Sequence, residues 1–156
     1  LFIDPKISSA IGNELANKIK SIIDKKIDYV VAPALGGILV GYEVARSLNS
    51  KSMFFERTKE EFELRRGFEI ESNKNVLLVE DVITTGKSSK ECLGKLNNMN
   101  INILGIACIV DRSNKKIFDN HEVISLLELD IPIYDENNLP EELKNIPAVK
   151  PGSRKI

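Results

Sequence analysis

Two adjacent acids, Glu80 and Asp81, followed by Val82-Ile83-Thr84-Thr85-Gly86-Lys87-Ser88, hold the densest chemistry in this 156-residue chain. Neighbouring carboxylates accept hydrogen bonds from paired hydroxyls such as those of a sugar. Two threonine hydroxyls, a glycine that lets backbone amides approach closely, and Ser88 at the opening of a helix suit a phosphate. The amino end of a helix carries unpaired N–H groups and partial positive charge. Any strand reaching the surface could show these features singly; their order, acids before amides, favours a sugar phosphate. The Gly86-Lys87-Ser88 ending is shared with the nucleotide-binding P-loop, but that motif needs glycine where this chain has Asp81, and acids there would repel a triphosphate.

Three further segments are candidates. Ala32-Pro33-Ala34-Leu35-Gly36-Gly37 has small residues that can expose amides to an anion, although a tight turn with helix packing explains it as well. A charged run carries Glu56-Arg57-Thr58-Lys59 and Leu64-Arg65-Arg66-Gly67-Phe68, whose default reading is a solvated hairpin. Asp111-Arg112 follows an apolar run; as a surface ion pair it would contribute little. His121 reads as structural and Cys92 and Cys108 as core residues. Two distant cysteines and one histidine make neither a disulfide framework nor a zinc site, and no residue is assigned as a metal ligand.

The elements that must position these residues follow from hydrophobic spacing. Asp4-Pro5 caps a helix in which Ile7, Ile11, Leu15, Ile19 and Ile22 recur, running to about Lys26. Tyr29–Ala32 is a short strand ending at Pro33, and Gly36-Gly37 opens a second amphipathic helix through Leu39, Tyr42 and Leu48. Met53–Phe55 predicts a strand, paired across a long exposed loop with alternation that resumes at Phe68 and Ile70. Val76–Val79 reads as a strand buried on both faces that stops at Glu80-Asp81. A helix from Ser88 to Met99 and strands over Ile101–Val110 and Val123–Leu127 complete the alternation. This is an α/β chain: one domain with a mostly parallel twisted sheet flanked by helices. The tail from Asn137 is expected to pack as an extended cover.

The segment from Val76 to Ser89 resembles the phosphoribosyl pyrophosphate signature of the type I phosphoribosyltransferases, and Glu80–Gly86 is most similar to the orotate enzymes among them. That resemblance implies the family's fold with a hairpin lid loop, and a transfer of phosphoribosyl from phosphoribosyl pyrophosphate to orotate with Mg2+ as cofactor. It implies that Glu80 through Ser88 bind phosphoribosyl pyrophosphate, with Asp81 also catalytic. Ala34, Leu35 and Gly36 match the pyrophosphate loop, although many orotate enzymes carry an aromatic residue and a lysine where Leu35 and Gly36 stand. Arg57 matches the leading arginine of a mobile basic lid and is taken as catalytic, with Arg65 and Arg66 as further lid residues; Thr58 stands where many members have lysine. Thr84 and Arg112 would contact orotate, a planar fork suiting its carboxylate. Pro147–Arg154 resembles the ending of one branch of these enzymes and carries no catalytic assignment.

The family implies a cytoplasmic homodimer, and because residue 1 is Leu, part of the family's amino-terminal segment is expected upstream. A formal net charge of −1 gives no global field for nucleic acid or an anionic membrane, and no run is long and apolar enough for a span. The alternatives are a phosphoribosyltransferase for a purine or another base, and a non-catalytic regulator that senses phosphoribosyl pyrophosphate.

Overall fold

Alternating short apolar runs and amphipathic stretches can bury both faces of their strands only by covering each with helices. The computed structural model, which describes residues 2–59, 61–113, 117–118, 120–132, 134–135 and 137–147, has this arrangement. In chain order the elements are α1 (Pro5–Ile22), β1 (Tyr29–Pro33), α2 (Gly37–Leu48), β2 (Lys51–Arg57), β3 (Phe62–Leu64), β4 (Asn75–Ile83), α3 (Lys87–Asn97), β5 (Asn102–Asp111), β6 (Ile117–Phe118) and β7 (His121–Glu128), then a 3-10 turn at Glu141–Leu143. The sheet runs β3-β2-β1-β4-β5-β7-β6. β1, β2, β4, β5 and β7 pair in parallel, and the short β3 and β6 are antiparallel edges.

Strand order reverses between β1 and β4. Ligands of open parallel sheets gather at the carboxyl end of such a switch point. The two loops that leave there are residues 34–36 after β1 and 84–86 after β4.

Two apolar layers hold the sheet. Tyr29, Val31, Phe55, Val76, Leu78, Ile106 and Cys108 pack with Cys92, Leu93 and Leu96 of α3. On the other face Val30, Leu77, Val79 and Ala107 pack with Leu15 and Ile19 of α1 and Val40 and Val44 of α2. Successive residues of a strand point to opposite faces, so Val76 and Leu78 face α3 while Leu77 and Val79 face α1 and α2.

Several boundaries differ from the sequence reading. α1 ends at Ile22 rather than near Lys26, because Ile23 turns extended and Ile27 enters the core. Its buried stripe is Ser8, Gly12, Leu15, Ala16 and Ile19, with Ile7 and Ile22 exposed. Small residues won that face because α2 passes close: a Cβ on Gly12 would lie 2.5 Å from Glu43 Cβ. On α2 the buried residues are Gly37, Val40, Gly41, Val44 and Ala45, leaving the expected Leu39 and Tyr42 exposed. The partner of β2 is Phe62–Leu64, not the stretch around Phe68 and Ile70. The connection is correspondingly short, with Thr58 N–H donating to the Glu61 carbonyl at 2.9 Å. Phe68 instead sets its ring edge-on against Phe54, centroids 5.1 Å apart. β4 does not stop at Glu80-Asp81 but continues to Ile83, paired with Asp111 of β5. α3 begins at Lys87, one residue early, and ends at Asn97.

Overpacking a close helix crossing costs about 1–3 kcal/mol. Gly12→Val is expected to lower unfolding free energy by about 2 kcal/mol in urea titration, with the slope unchanged, since the added branches have only the Glu43 backbone to enter.

Candidate functional site

At the carboxyl end of β4 the strand's alternation separates the two acids. Glu80 follows Val76 and Leu78 onto the α3 face, where it is 7% exposed and Oε1 accepts a hydrogen bond from Ser89 Oγ at 2.5 Å. Asp81 follows Leu77 and Val79 onto the α2 face, where a Cβ on Gly36 would lie 2.4 Å from Asp81 Oδ2. The carboxylate therefore rests against a residue that has no side chain. This contact unites the loop after β1 with the acids of β4, a junction that spacing along the chain could not reveal. The Asp81 carboxylate accepts no hydrogen bond among the described residues.

The phosphate end lies beside Glu80. Thr84 and Thr85 are exposed, and Gly86 caps α3 in a left-handed conformation, φ 71°. No side chain caps this helix, and Thr85 Oγ1 accepts only a long 3.4 Å contact from the Lys87 amide. The first-turn amides are therefore open to an anion. Glu80, Val82, Ile83, Thr84, Thr85, Gly86, Lys87, Ser88 and Ser89 line a cleft of about 60 Å³. A larger cavity of about 460 Å³, between Lys26, Tyr29, Lys51, Glu71 and Lys74, lies at the opposite rim of the sheet, where no helix amino end meets the strands. The smaller cleft is the one with phosphate chemistry.

Beneath the turn lies a residue the sequence reading missed. A Cβ on Gly86 would lie 2.1 Å from the ring of Phe118, which is buried at 2% exposure. The hydrophobic Ile117-Phe118 pair within a polar stretch was its only signal. Ser89 closed the recognised segment but was given no role of its own.

Of the pyrophosphate-loop candidates, Ala34 is half-buried and Leu35 and Gly36 are exposed, with a cis peptide between Ala34 and Leu35. The Ala34 amide donates to the Phe55 carbonyl at 2.8 Å. The lid candidates divide. Arg57 leaves β2 on the α3 side and its Nη2 donates to Glu91 Oε2 at 2.6 Å. Arg65 and Arg66 gather around Glu56 on the other side, Arg65 Nη1 at 3.7 Å and Arg66 through Nε and Nη2. The Arg66-Gly67 corner has φ 60° and 73°, a tight turn closed by Phe68 N–H on the Arg65 carbonyl at 3.0 Å. Arg57 and the Arg65-Arg66 pair are thus not joined into one cluster.

Arg112 follows β5, and its amide donates to the Ile83 carbonyl at 2.8 Å, which anchors it beside Thr84. Its Nε is buried without a hydrogen-bond partner among the described residues. Cys92 and Cys108 are fully buried, and burial pushes the thiol of Cys108 up to about 12 and that of Cys92 higher still, which rules both out as nucleophiles near neutral pH. His121 pairs with Phe118 at the start of β7, remote from the acids in the sheet order. Pro147 is exposed, and the rest of the Pro147–Arg154 segment lies outside the described residues.

Burial raises the carboxyl of Glu80 to about 6, with the charge of Asp81 adding to the effect and the Ser89 hydrogen bond opposing it. A raised acid binds its proton more tightly in the folded chain than in the unfolded one. The folded state is therefore favoured below 4.5, and that contribution is lost as pH rises through 6. At pH 8 the ionised Glu80 then costs up to about 2 kcal/mol of stability. Glu80→Gln, which keeps an acceptor for Ser89, should raise the unfolding free energy by about 1 kcal/mol at pH 8 and by progressively less as pH is lowered through 6.

Comparison with known proteins bears on these motifs together. Residues 3–145 match the family model described as a phosphoribosyl transferase domain. Orotate phosphoribosyltransferase of Parvibaculum lavamentivorans is 41% identical over 156 residues, which is all of this chain and 80% of that protein. The enzyme of that name from Thermoanaerobacter sp. is 44% identical over the same shares. Among solved structures, adenine phosphoribosyltransferase of Thermoanaerobacter pseudethanolicus superposes with a TM-score of 0.70 at 18% identity, covering 81% of this chain and 82% of its own. Orotate phosphoribosyltransferase of Mycobacterium tuberculosis does so with 0.66 at 19%, covering 81% and 75%. The structural likeness establishes the fold expected from the Val76–Ser89 segment. Because the likeness to the orotate enzymes spans the whole of this chain at more than 40% identity, the chain belongs to the orotate phosphoribosyltransferase family.

Proposed function

We infer that the chain transfers the phosphoribosyl group of phosphoribosyl pyrophosphate to orotate, giving orotidine 5'-monophosphate and pyrophosphate for pyrimidine synthesis. The observation that carries this reading is the convergence at one switch point of Glu80 on Ser89, Asp81 on Gly36, and an uncapped α3. Full-length identity to orotate enzymes supports the base, as does the unpartnered Arg112 Nε beside Ile83. The shared phosphate turn alone would suit a purine enzyme or a sensing protein equally.

The bond between C1 of the ribose and pyrophosphate oxygen breaks as the orotate nitrogen bonds to C1, through a transition state with oxocarbenium character. Direct displacement needs no covalent intermediate, so catalysis rests on positioning and on stabilising the charge of the departing group. Glu80 and Asp81 accept hydrogen bonds from the ribose hydroxyls across the strand edge. The amides and hydroxyls of residues 84–88 receive the 5-phosphate, and residues 34–36 face the pyrophosphate. Arg57 and the lid arginines meet the developing negative charge; Arg112 and Thr84 hold orotate.

Mg2+ suits this donor set. No group of three metal-ligating side chains occurs among the described residues, but a hydrated Mg2+ needs only one or two carboxylates when substrate oxygens supply the rest. Asp81, whose oxygens lack hydrogen-bond partners, would hold it with Glu80 nearby, where it adds positive charge beside the pyrophosphate.

Two copies of the chain would cover the outer face of α2. Leu39 and Tyr42 are 51% and 56% exposed and lie three residues apart on one side of the helix, an apolar patch that a homodimer would bury. No helix among the described residues is long and apolar enough to cross a membrane; the cytoplasmic location is part of the same proposal and follows from the proposed role in pyrimidine synthesis.

Orotate absorbance should fall on mixing with phosphoribosyl pyrophosphate and Mg2+, and stay constant when Mg2+ is chelated; adenine or guanine turned over in its place would overturn the assignment of the base. Arg57→Ala is expected to lower kcat about a hundredfold, about 3 kcal/mol of activation free energy. Arg112→Ala should raise the KM for orotate by about tenfold or more while leaving that for phosphoribosyl pyrophosphate nearly unchanged.

A further inference from the structure

We propose that Glu91 of α3 is the residue that positions Arg57 for the departing pyrophosphate. The inference rests on the lid role of Arg57 given above and adds an acidic member to a device otherwise described by its cations alone. Arg57 is the last residue of β2, and its guanidinium is fixed on two sides. Nη2 donates to Glu91 Oε2 at 2.6 Å, and the guanidinium carbon lies 4.1 Å from the ring centre of Phe62, itself only 2% exposed. The other N–H groups of Arg57 make no hydrogen bond among the described residues. One edge of the planar fork is therefore anchored and its remaining donors are available to phosphate oxygens.

The anchor belongs to the helix whose first turn forms the phosphate site. Glu91 stands three residues after Ser88 and so on the same side of α3. Lys95, four residues further, pairs with Glu61 at the start of the hairpin, so the β2–β3 connection is docked on α3 at two successive turns. An arginine ordered only on binding would give up much of its rotamer freedom at that moment. With Glu91 and Phe62 against it, part of that ordering is in place beforehand, and the cation is directed toward the helix that carries the phosphate turn.

Steady-state kinetics of Glu91→Ala, Glu91→Gln, Arg57→Ala and the double variant Arg57→Ala/Glu91→Ala test this. Glu91→Ala should lower kcat on the order of tenfold with the KM for orotate unchanged, and Glu91→Gln, which keeps an acceptor oxygen, should recover most of the loss. In the Arg57→Ala background, Glu91→Ala should have no further effect. The proposal is overturned if Glu91→Ala is as active as the parent, if it is faster, which would mean Glu91 sequesters Arg57, or if its loss is the same size without Arg57. An undiminished kcat in Arg57→Ala would instead remove the lid reading, while an impaired Arg57→Ala beside an unimpaired Glu91→Ala removes only the role of Glu91.

Discussion

Carboxylates inside a sheet must be compensated, and β4 carries two at the end of four residues that are entirely buried, Val76 to Val79. Removing such groups from water without hydrogen bonds costs several kcal/mol. The chain meets this by sending the two acids to opposite faces. The buried Glu80 takes a hydroxyl from Ser89 on one side, and the half-buried Asp81 keeps access to water on the other, beside the bare α-carbon of Gly36. Each acid therefore stands next to the amino end of a helix, α3 for Glu80 and α2 for Asp81.

That arrangement explains why the pairing of β1 with β4 matters most to the site. They are adjacent, parallel and fully buried over Tyr29–Pro33 and Val76–Val79, which sets the loops after them side by side at one rim. The phosphate turn is then braced from below by Phe118 of an edge strand. The base end is less symmetrical: adenine and orotate enzymes share this fold at similar TM-scores, so the fold by itself does not select the base, and the proposed base contact Arg112 carries an unsatisfied buried donor.

The central sheet was legible because parallel strands buried on both faces read as uninterrupted apolar runs, as Val76–Val79 does. The acids, the turn at Gly86 and the start of α2 were legible for a related reason, since polar and small residues interrupt those runs abruptly. The faces of α1 and α2 were legible only in part. Leu15 and Ile19 are buried as their spacing implied, but Ile7, Leu39 and Tyr42 are exposed, and small residues take their place: Gly12 lies against Glu43 of α2, and Gly41 against Ala32 of β1. The hairpin was misjudged in a similar way. Phe62 lies amid charges that hide its period, yet one buried ring pairing at Arg57 outweighs the longer alternation around Phe68. Contacts between segments distant in the chain, such as Gly36 with Asp81, leave no trace in local spacing at all.

Gly86 and Phe118 are 32 positions apart, yet neither leaves space for a change at the other. A methyl group at 86 would need the ring at 118 to shrink, and a smaller residue at 118 would leave a void under the turn. Homologues should therefore show these two positions drifting together or not at all, an evolutionary linkage between the edge of the sheet and the bend that opens α3.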